Sequence, residues 1–226
     1  MEPTIFVIVI VLILAFVYLE SQQNKERQEA YQTWAQSYNW DYNPNCDCET
    51  YRRYSYLNQL QKGSNRYAFD VLEGTWDGYP AFSFNFHYET YTISSHFNGT
   101  STTTSTTTHH HYFGVVMIQI EQYYPKLVIR PKNFFEQVGN ALGFKNKNFE
   151  SVEFSERFIV RCTDENFAYD FCHQRMMKYL LSIPNIELEL NENMLILINY
   201  QERMNPHKVE ESLNQLIKLR QLMLKH

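Results

Sequence analysis

From Ile5 to Leu19 the chain reads IFVIVIVLILAFVYL, fifteen apolar residues without a charge, Gly or Pro. No other stretch constrains the chain as much, because the polar, aromatic-rich residues that follow cannot share its environment. Thirteen of the fifteen are Ile, Leu, Val or Phe, which at a membrane centre supply roughly −4 to −8 kcal/mol for insertion. Counted from Pro3, a helix through Leu19 spans about 25 Å, against about 30 Å of hydrocarbon. Local thinning, little tilt, and Tyr18 with Glu20 at the interface cover the difference. A cleaved signal peptide needs a basic start and a small-residue cleavage site. Here Met1 to Thr4 hold Glu2 and no base, and Tyr18-Leu19-Glu20-Ser21 is not of that kind. Residues 1–20 therefore read as a single-pass membrane anchor, with Ile5, Leu12 and Leu19 marking its length. Lys25 and Arg27 flank its C-terminal side and no Lys or Arg precedes it. The positive-inside rule then puts the N-terminus outside and the following domain in the cytoplasm.

Charge and composition limit what that domain can engage. Net charge is −5 with a pI near 5.9, and no stretch concentrates Lys and Arg, which argues against nucleic acid as a partner. Only 7 Gly occur in 226 residues, and no phosphate-cradling loop, nucleophile elbow or HExxH is present, so no cofactor is implied. Aromatics make up 16% of the chain. They suit a pleated sheet, where Tyr and Phe pack well.

Residues 21–50 read as a juxtamembrane helix and linker, and residues 51–226 as one domain. The helix runs to about Tyr38 and has one sticky side, Ala30, Tyr31, Trp34 and Ala35, for docking onto the domain or a partner. A short helix is expected around 51–61. Strands are expected over 66–76 and 79–92 across an Asp77-Gly78 turn, over 112–122, and over 126–130 after Pro125. Residues 94–111, with STTTSTTTHHH, read as a flexible polar loop. A helix is expected over 131–142, an extended segment at 149–154 and a strand over 157–162. Thr163 or Asp164 caps one helix running to Ser182. Residues 186–190 and 194–200 form a hairpin across 191–193, and Asn205 caps a long final helix. The sum is an α+β fold: a mainly antiparallel sheet of about seven strands packed by helices, with a long C-terminal helix, preceded by the transmembrane helix.

Chemistry-bearing residues are few. His109, His110 and His111, with His87 and His96 near, form the histidine cluster of the chain and are weak metal candidates. Consecutive residues of an extended segment point in opposite directions, and no carboxylate sits among them in sequence, so no metal site is assigned. Cys46-Asp47-Cys48 lacks a second ligand pair for zinc, and thiols between acidic neighbours are sluggish nucleophiles. Cys162 and Cys172 fall on apolar faces and read as core thiols, which suits a reducing compartment. Asp170 and His173 stand three apart on an expected helix, with no nucleophile or third partner in view. No catalytic residue is assigned. Phe69, Phe82, Phe84 and Phe86 leave a small-ligand pocket open as an alternative.

Several blocks resemble a family of uncharacterised bacterial proteins with one N-terminal membrane anchor and a single α+β domain. They are WAQSYNW at Trp34–Trp40, NRYAFDVLEGTWDGYPAFSFNFHY at Asn65–Tyr88, VIRPKNFFEQVGNALGF at Val128–Phe144, and above all FSERFIVRCTDENFAYDFCHQRMMKYLL within Phe149–Leu181. The resemblance implies architecture and no activity. The expectation is a membrane-tethered, non-catalytic interaction or scaffold module with a protein partner. An enzyme of unrecognised type, metal-assisted through the loop histidines, is the alternative, beside small-ligand binding.

Overall fold

A computed structural model describes residues 3–97, 99–132, 149–183, 186–200 and 203–223. The helix expected over 131–142 lies outside them. Helix α1 runs unbroken from Pro3 to Tyr38, about 54 Å at 1.5 Å per residue. Its two halves live in different surroundings. Leu12 and Leu19 are 64% and 59% exposed, whereas Tyr31 and Ala35 are 1% and 0%; the side chain of Ile5 is not among those described. Among the described residues, one helix is long and apolar enough to cross a membrane. Among the described side chains, none from Val7 to Leu19 is buried, whereas the second half packs into the domain.

Among the described residues, six strands make one antiparallel sheet. They are β1 (Asp41–Asn43), β2 (Ser64–Trp76), β3 (Tyr79–Phe97), β4 (Thr102–Pro131), β5 (Phe158–Cys162) and β6 (Ile186–Asn199). The order is β1-β2-β3-β4-β5, with β6 on β4 as well. β4 is the spine. β3 and β6 flank it together at 114–118, and β5 and β6 at 127–129. β3 and β5 therefore occupy the same edge of β4 in succession, with β6 on the other.

The helices cover the sheet. Short α2 (Cys48–Arg53) and a 3-10 turn at Asn58–Gln61 bring Tyr54, Leu57 and Leu60 onto one face, against Phe84, Phe86, Phe113 and Ile198. The other face packs Leu72, Val116, Ile118 and Leu197 under α1, α3 (Val152–Arg157), α4 (Glu165–Phe171), α5 (Gln174–Ser182) and α6 (Pro206–Met223). Asn205 Oδ1 accepts from Lys208 N at 2.9 Å, so the expected cap of α6 forms.

Several expected elements differ. The 112–122 and 126–130 strands are one strand, because register shifts between Gln119, Tyr124 and Leu127 absorb the missing N–H of Pro125 in a bulge. Residues 186–190 and 194–199 are also one strand and not a hairpin. Both halves pair with β4 in the same sense, and only Glu192 turns to φ 54, opposite Tyr124. The two bulges meet, so β4 and β6 bend together. β1 adds one strand, which leaves six. The extended segment at 149–154 is instead the start of α3, capped by Ser151 Oγ accepting from Phe154 N at 3.2 Å. The single helix expected to Ser182 breaks at Cys172 into α4 and α5.

The Ser/Thr/His segment at 94–111, expected as a loop, continues the β3–β4 ladder without a gap to Phe97↔Thr102. Thr is β-branched and favours extended backbone, which a reading by composition alone undervalues. Beyond Thr90 the hairpin leaves the core as a two-stranded ribbon. It exposes Tyr91, Ile93 and Phe97 on one face at 52%, 68% and 66%.

The joint between α1 and the domain combines an aromatic cluster with a buried polar network. All three Trp of the chain, Trp34, Trp40 and Trp76, pack there with Tyr38, at centroid distances of 4.8–6.4 Å. Trp34 and Trp76 donate their indole N–H to Glu210 and Asn214 of α6 at 3.2 and 3.1 Å. Beneath them Asp70, fully buried at φ 50 in a β2 bulge, aims its carboxylate inward. It pairs with Arg27 Nε at 3.0 Å and accepts from Tyr42 OH at 2.9 Å and Asn85 Nδ2 at 3.3 Å. Tyr31 OH donates to Met204 O at 2.6 Å, and Asn85 Oδ1 accepts from Met204 N at 2.7 Å. One polar network thus holds α1, β1, β2, β3 and the approach to α6. Burial pushes the Asp70 carboxyl above its ordinary range, against the pull of Arg27 and the two donors.

Candidate functional site

At the root of the ribbon, antiparallel pairing gathers residues far apart in sequence. His87 and Glu89 stand two apart on β3 and so share a face. The register places His110 of β4 opposite Glu89, and both Tyr67 and Tyr112 opposite His87. The His87 ring lies between them, 4.5 Å from the Tyr67 ring and 4.9 Å from that of Tyr112, and is 1% exposed. Arg203 covers Tyr112 with its guanidinium 4.0 Å from the ring centre.

Asn65, in a bulge of β2 at φ 47, reaches two members of the group; Asn tolerates this backbone better than most residues. Its carbonyl oxygen is 3.0 Å from His87 Nδ1, and its Nδ2 donates to Glu89 Oε1 at 2.7 Å. A carbonyl can only accept, so Nδ1 carries the His87 proton and Nε2 holds a lone pair. That lone pair faces His110 Nδ1 at 3.0 Å. Glu89 Oε1 is 3.4 Å from the same His110 nitrogen, and Glu89 Oε2 accepts from Tyr91 OH at 2.8 Å. Burial pushes the His87 imidazole down, partly offset by Asn65 O and Glu89. Hydrogen bonds from Asn65 and Tyr91 hold the Glu89 carboxyl below its usual range. The group therefore presents a neutral imidazole, a carboxylate and a second imidazole. Among the described residues, these three offer one ligand atom each within 4.8 Å of one another.

The three consecutive histidines are thereby split. His110 joins the cluster, while His109 and His111 point to the opposite face. There their Nε2 atoms meet Thr92 and Thr90 Oγ1 at 2.9 and 2.8 Å, and His111 stacks on Tyr88 at 4.6 Å. His96 lies further out, paired with Thr103. The alternation expected from the sequence holds. The expected lack of a carboxylate does not, because Glu89 comes from the other strand. Glu89 and His110 meet only through the β3–β4 register.

The other sequence candidates take structural roles. His173 caps α5. Its Nδ1 lies 3.4 Å from Met176 N and accepts, so Nε2 carries the proton and donates to Leu222 O at 3.3 Å. Both of its ring nitrogens thus meet backbone groups. Asp47 caps α2, accepting from Glu49 N, Thr50 N and Thr50 Oγ1 at 2.7, 3.2 and 2.6 Å. Cys46 and Cys48 are exposed, Cys162 and Cys172 buried, and none is in a disulfide. Burial pushes the Cys172 thiol well up. Phe82, Phe84 and Phe86 pack around Tyr54 and Phe113, whereas Phe69 points to the other side toward Tyr112 and Arg27. The four do not line one space. An open groove between α1 and the start of α6 is lined by Glu26, Ala30, Thr33, Trp34 and Pro206.

No family model and no curated protein matches the chain. Among solved structures, the crystal structure of the mycobacterial trehalose monomycolate transport factor A, TtfA, superposes with a TM-score of 0.59. The two share 15% identity over 87% of this chain and 93% of that one. At that identity the likeness shows a common fold: an α+β domain with an antiparallel sheet, carrying an apolar N-terminal helix in this chain.

Proposed function

We propose that this protein is a membrane-tethered, non-catalytic interaction module of a bacterial membrane, crossing once with its N-terminus outside and its domain in the cytoplasm. The observation that carries this reading is the continuity of α1. An exposed apolar half passes without a break into a half that is buried in the domain. A flexible linker would leave the domain free to tumble on its tether. Here the Trp cluster and the Asp70 network fix its attitude to the helix, which favours a scaffold presenting a set face to a neighbour. The ribbon is the element we assign to partner contact, since Tyr91, Ile93 and Phe97 align on one exposed face and contribute little to the core. That the fold is shared with a transport factor is compatible with such a role.

The test is crosslinking and capture from native membranes, combined with protease protection of the domain in intact cells. A specific membrane or membrane-associated protein recovered through labels at Ile93, with the domain protected, supports the reading. Recovery of no protein above an unlabelled control contradicts the interaction role, and digestion of the domain from outside reverses the sidedness.

A further inference from the structure

The geometry points to a divalent metal site at the root of the ribbon, with His87 Nε2, Glu89 Oε1 and His110 Nδ1 binding one zinc-class ion and a fourth position left open to solvent. Ligand atoms bound at about 2.0–2.2 Å to a tetrahedral ion lie roughly 3.3–3.6 Å from one another. Two edges here are 3.0 Å between the imidazoles and 3.4 Å between His110 and Glu89. All three atoms lie within 4.8 Å of one another. An ion therefore enters by small side-chain movements, with no change of strand register. Two imidazoles and a carboxylate suit zinc or its first-row neighbours; they contain too few oxygens for calcium and no thiolate for softer ions.

Further groups prepare the ligands. The Asn65 carbonyl accepts from His87 Nδ1 and so leaves the Nε2 lone pair as the ligand, the arrangement usual behind a metal-bound histidine. An entering ion replaces the proton that His110 Nδ1 donates to it, which moves to His110 Nε2 or to solvent. Tyr91 OH and Asn65 Nδ2 orient the Glu89 carboxylate. Tyr67 and Tyr112 fix the plane of the His87 ring. Only His110 is substantially exposed, its side chain at 54%, and this side gives both the entry path and the open position. An ion bound there ties β3 to β4 where the ribbon leaves the core. The site does not depend on the membrane or partner assignment.

The full-length chain in detergent micelles, stripped with a chelator and titrated with zinc alone by calorimetry, tests this. The expected result is one equivalent per chain. His110→Ala, an exposed substitution that leaves the core intact, weakens binding by about tenfold or more, and a His109→Ala/His111→Ala double variant binds like the parent. Cobalt added in place of zinc gives a visible absorption band in the parent that His110→Ala loses. Absence of zinc binding by the parent overturns the proposal, as does unchanged affinity in His110→Ala. Loss confined to the double variant also overturns it, since it marks adventitious binding by surface histidines.

Discussion

Single residues carry much of the weight at the helix–domain joint, and their effects can be stated in advance. Arg27→Ala leaves the Asp70 carboxylate buried without its cation, which costs roughly 2–4 kcal/mol. Urea unfolding followed by Trp emission measures it, since all three Trp sit at the joint; a loss below about 0.5 kcal/mol, the range of ordinary surface changes, contradicts it. Gly74 lies flat beneath the Trp40 indole, which a Cβ would overlap. Gly74→Ala then destabilises by about 1–3 kcal/mol through overpacking and changes the Trp emission of the folded state. Asp47 supplies a pH test. Burial alone would raise its carboxyl, but hydrogen bonds from Thr50 and Glu49 hold it below the ordinary 3.8. A folded value below the unfolded one means that the cap stabilises fully above the unfolded value and is lost as pH falls through the folded one. The stability difference between the parent and Asp47→Ala is then about 1 kcal/mol near pH 6 and shrinks in acid. A difference that grows in acid refutes the assignment. Local rules served well at this scale: the Asp77-Gly78 turn, the Asn205 cap and the opposed directions of His109, His110 and His111 follow from neighbours in sequence. Glu89 was hidden because its meeting with His110 depends on strand register, which no local pattern records.

Elements were legible where hydrophobic period and turn chemistry agreed, and misread where composition spoke alone. β2, the core part of β3 and α6 alternate or repeat in the expected way, and they formed. The ribbon was missed because a Ser/Thr run suggests a solvated loop, although Thr accepts extended backbone readily and Phe97 still finds its partner Thr102. β6 was split in two because Asn191-Glu192-Asn193 looks like a turn. Only the bulge of β4 opposite it shows that the chain carries straight through. The α4–α5 break turns on His173, whose ring serves as a cap in place of the usual Asp or Ser. The ribbon's independence from the core gives a further prediction. Replacing residues 92–107 by Asn-Gly closes the hairpin above Tyr91 and Thr108, and changes Tm by less than about 3 °C. It abolishes partner crosslinking. A large drop in Tm would mean that the ribbon is part of the folding unit and not an appended contact arm.

For the whole molecule, the organising fact is that the apolar N-terminal segment and the domain share a helix. The sequence reading set residues 21–50 apart as a juxtamembrane helix and linker with a sticky side for docking onto the domain or a partner. In the structure Arg27, Tyr31, Trp34 and Ala35 of α1 pack against the domain. Arg27, which the positive-inside rule counts as an orientation signal in the proposed topology, is also the partner of Asp70 in the fold. Rigid attachment distinguishes a presenting scaffold from a tethered but freely tumbling domain, and both depend on α1 residing in the bilayer. Alkaline carbonate extraction of native membranes tests that most directly, comparing the full chain with one beginning at Ser21. The expected result is that the full chain stays in the membrane pellet while the shortened chain, keeping Arg27 to Trp40 and hence the joint, folds and remains in the supernatant. A full chain released by carbonate would contradict it.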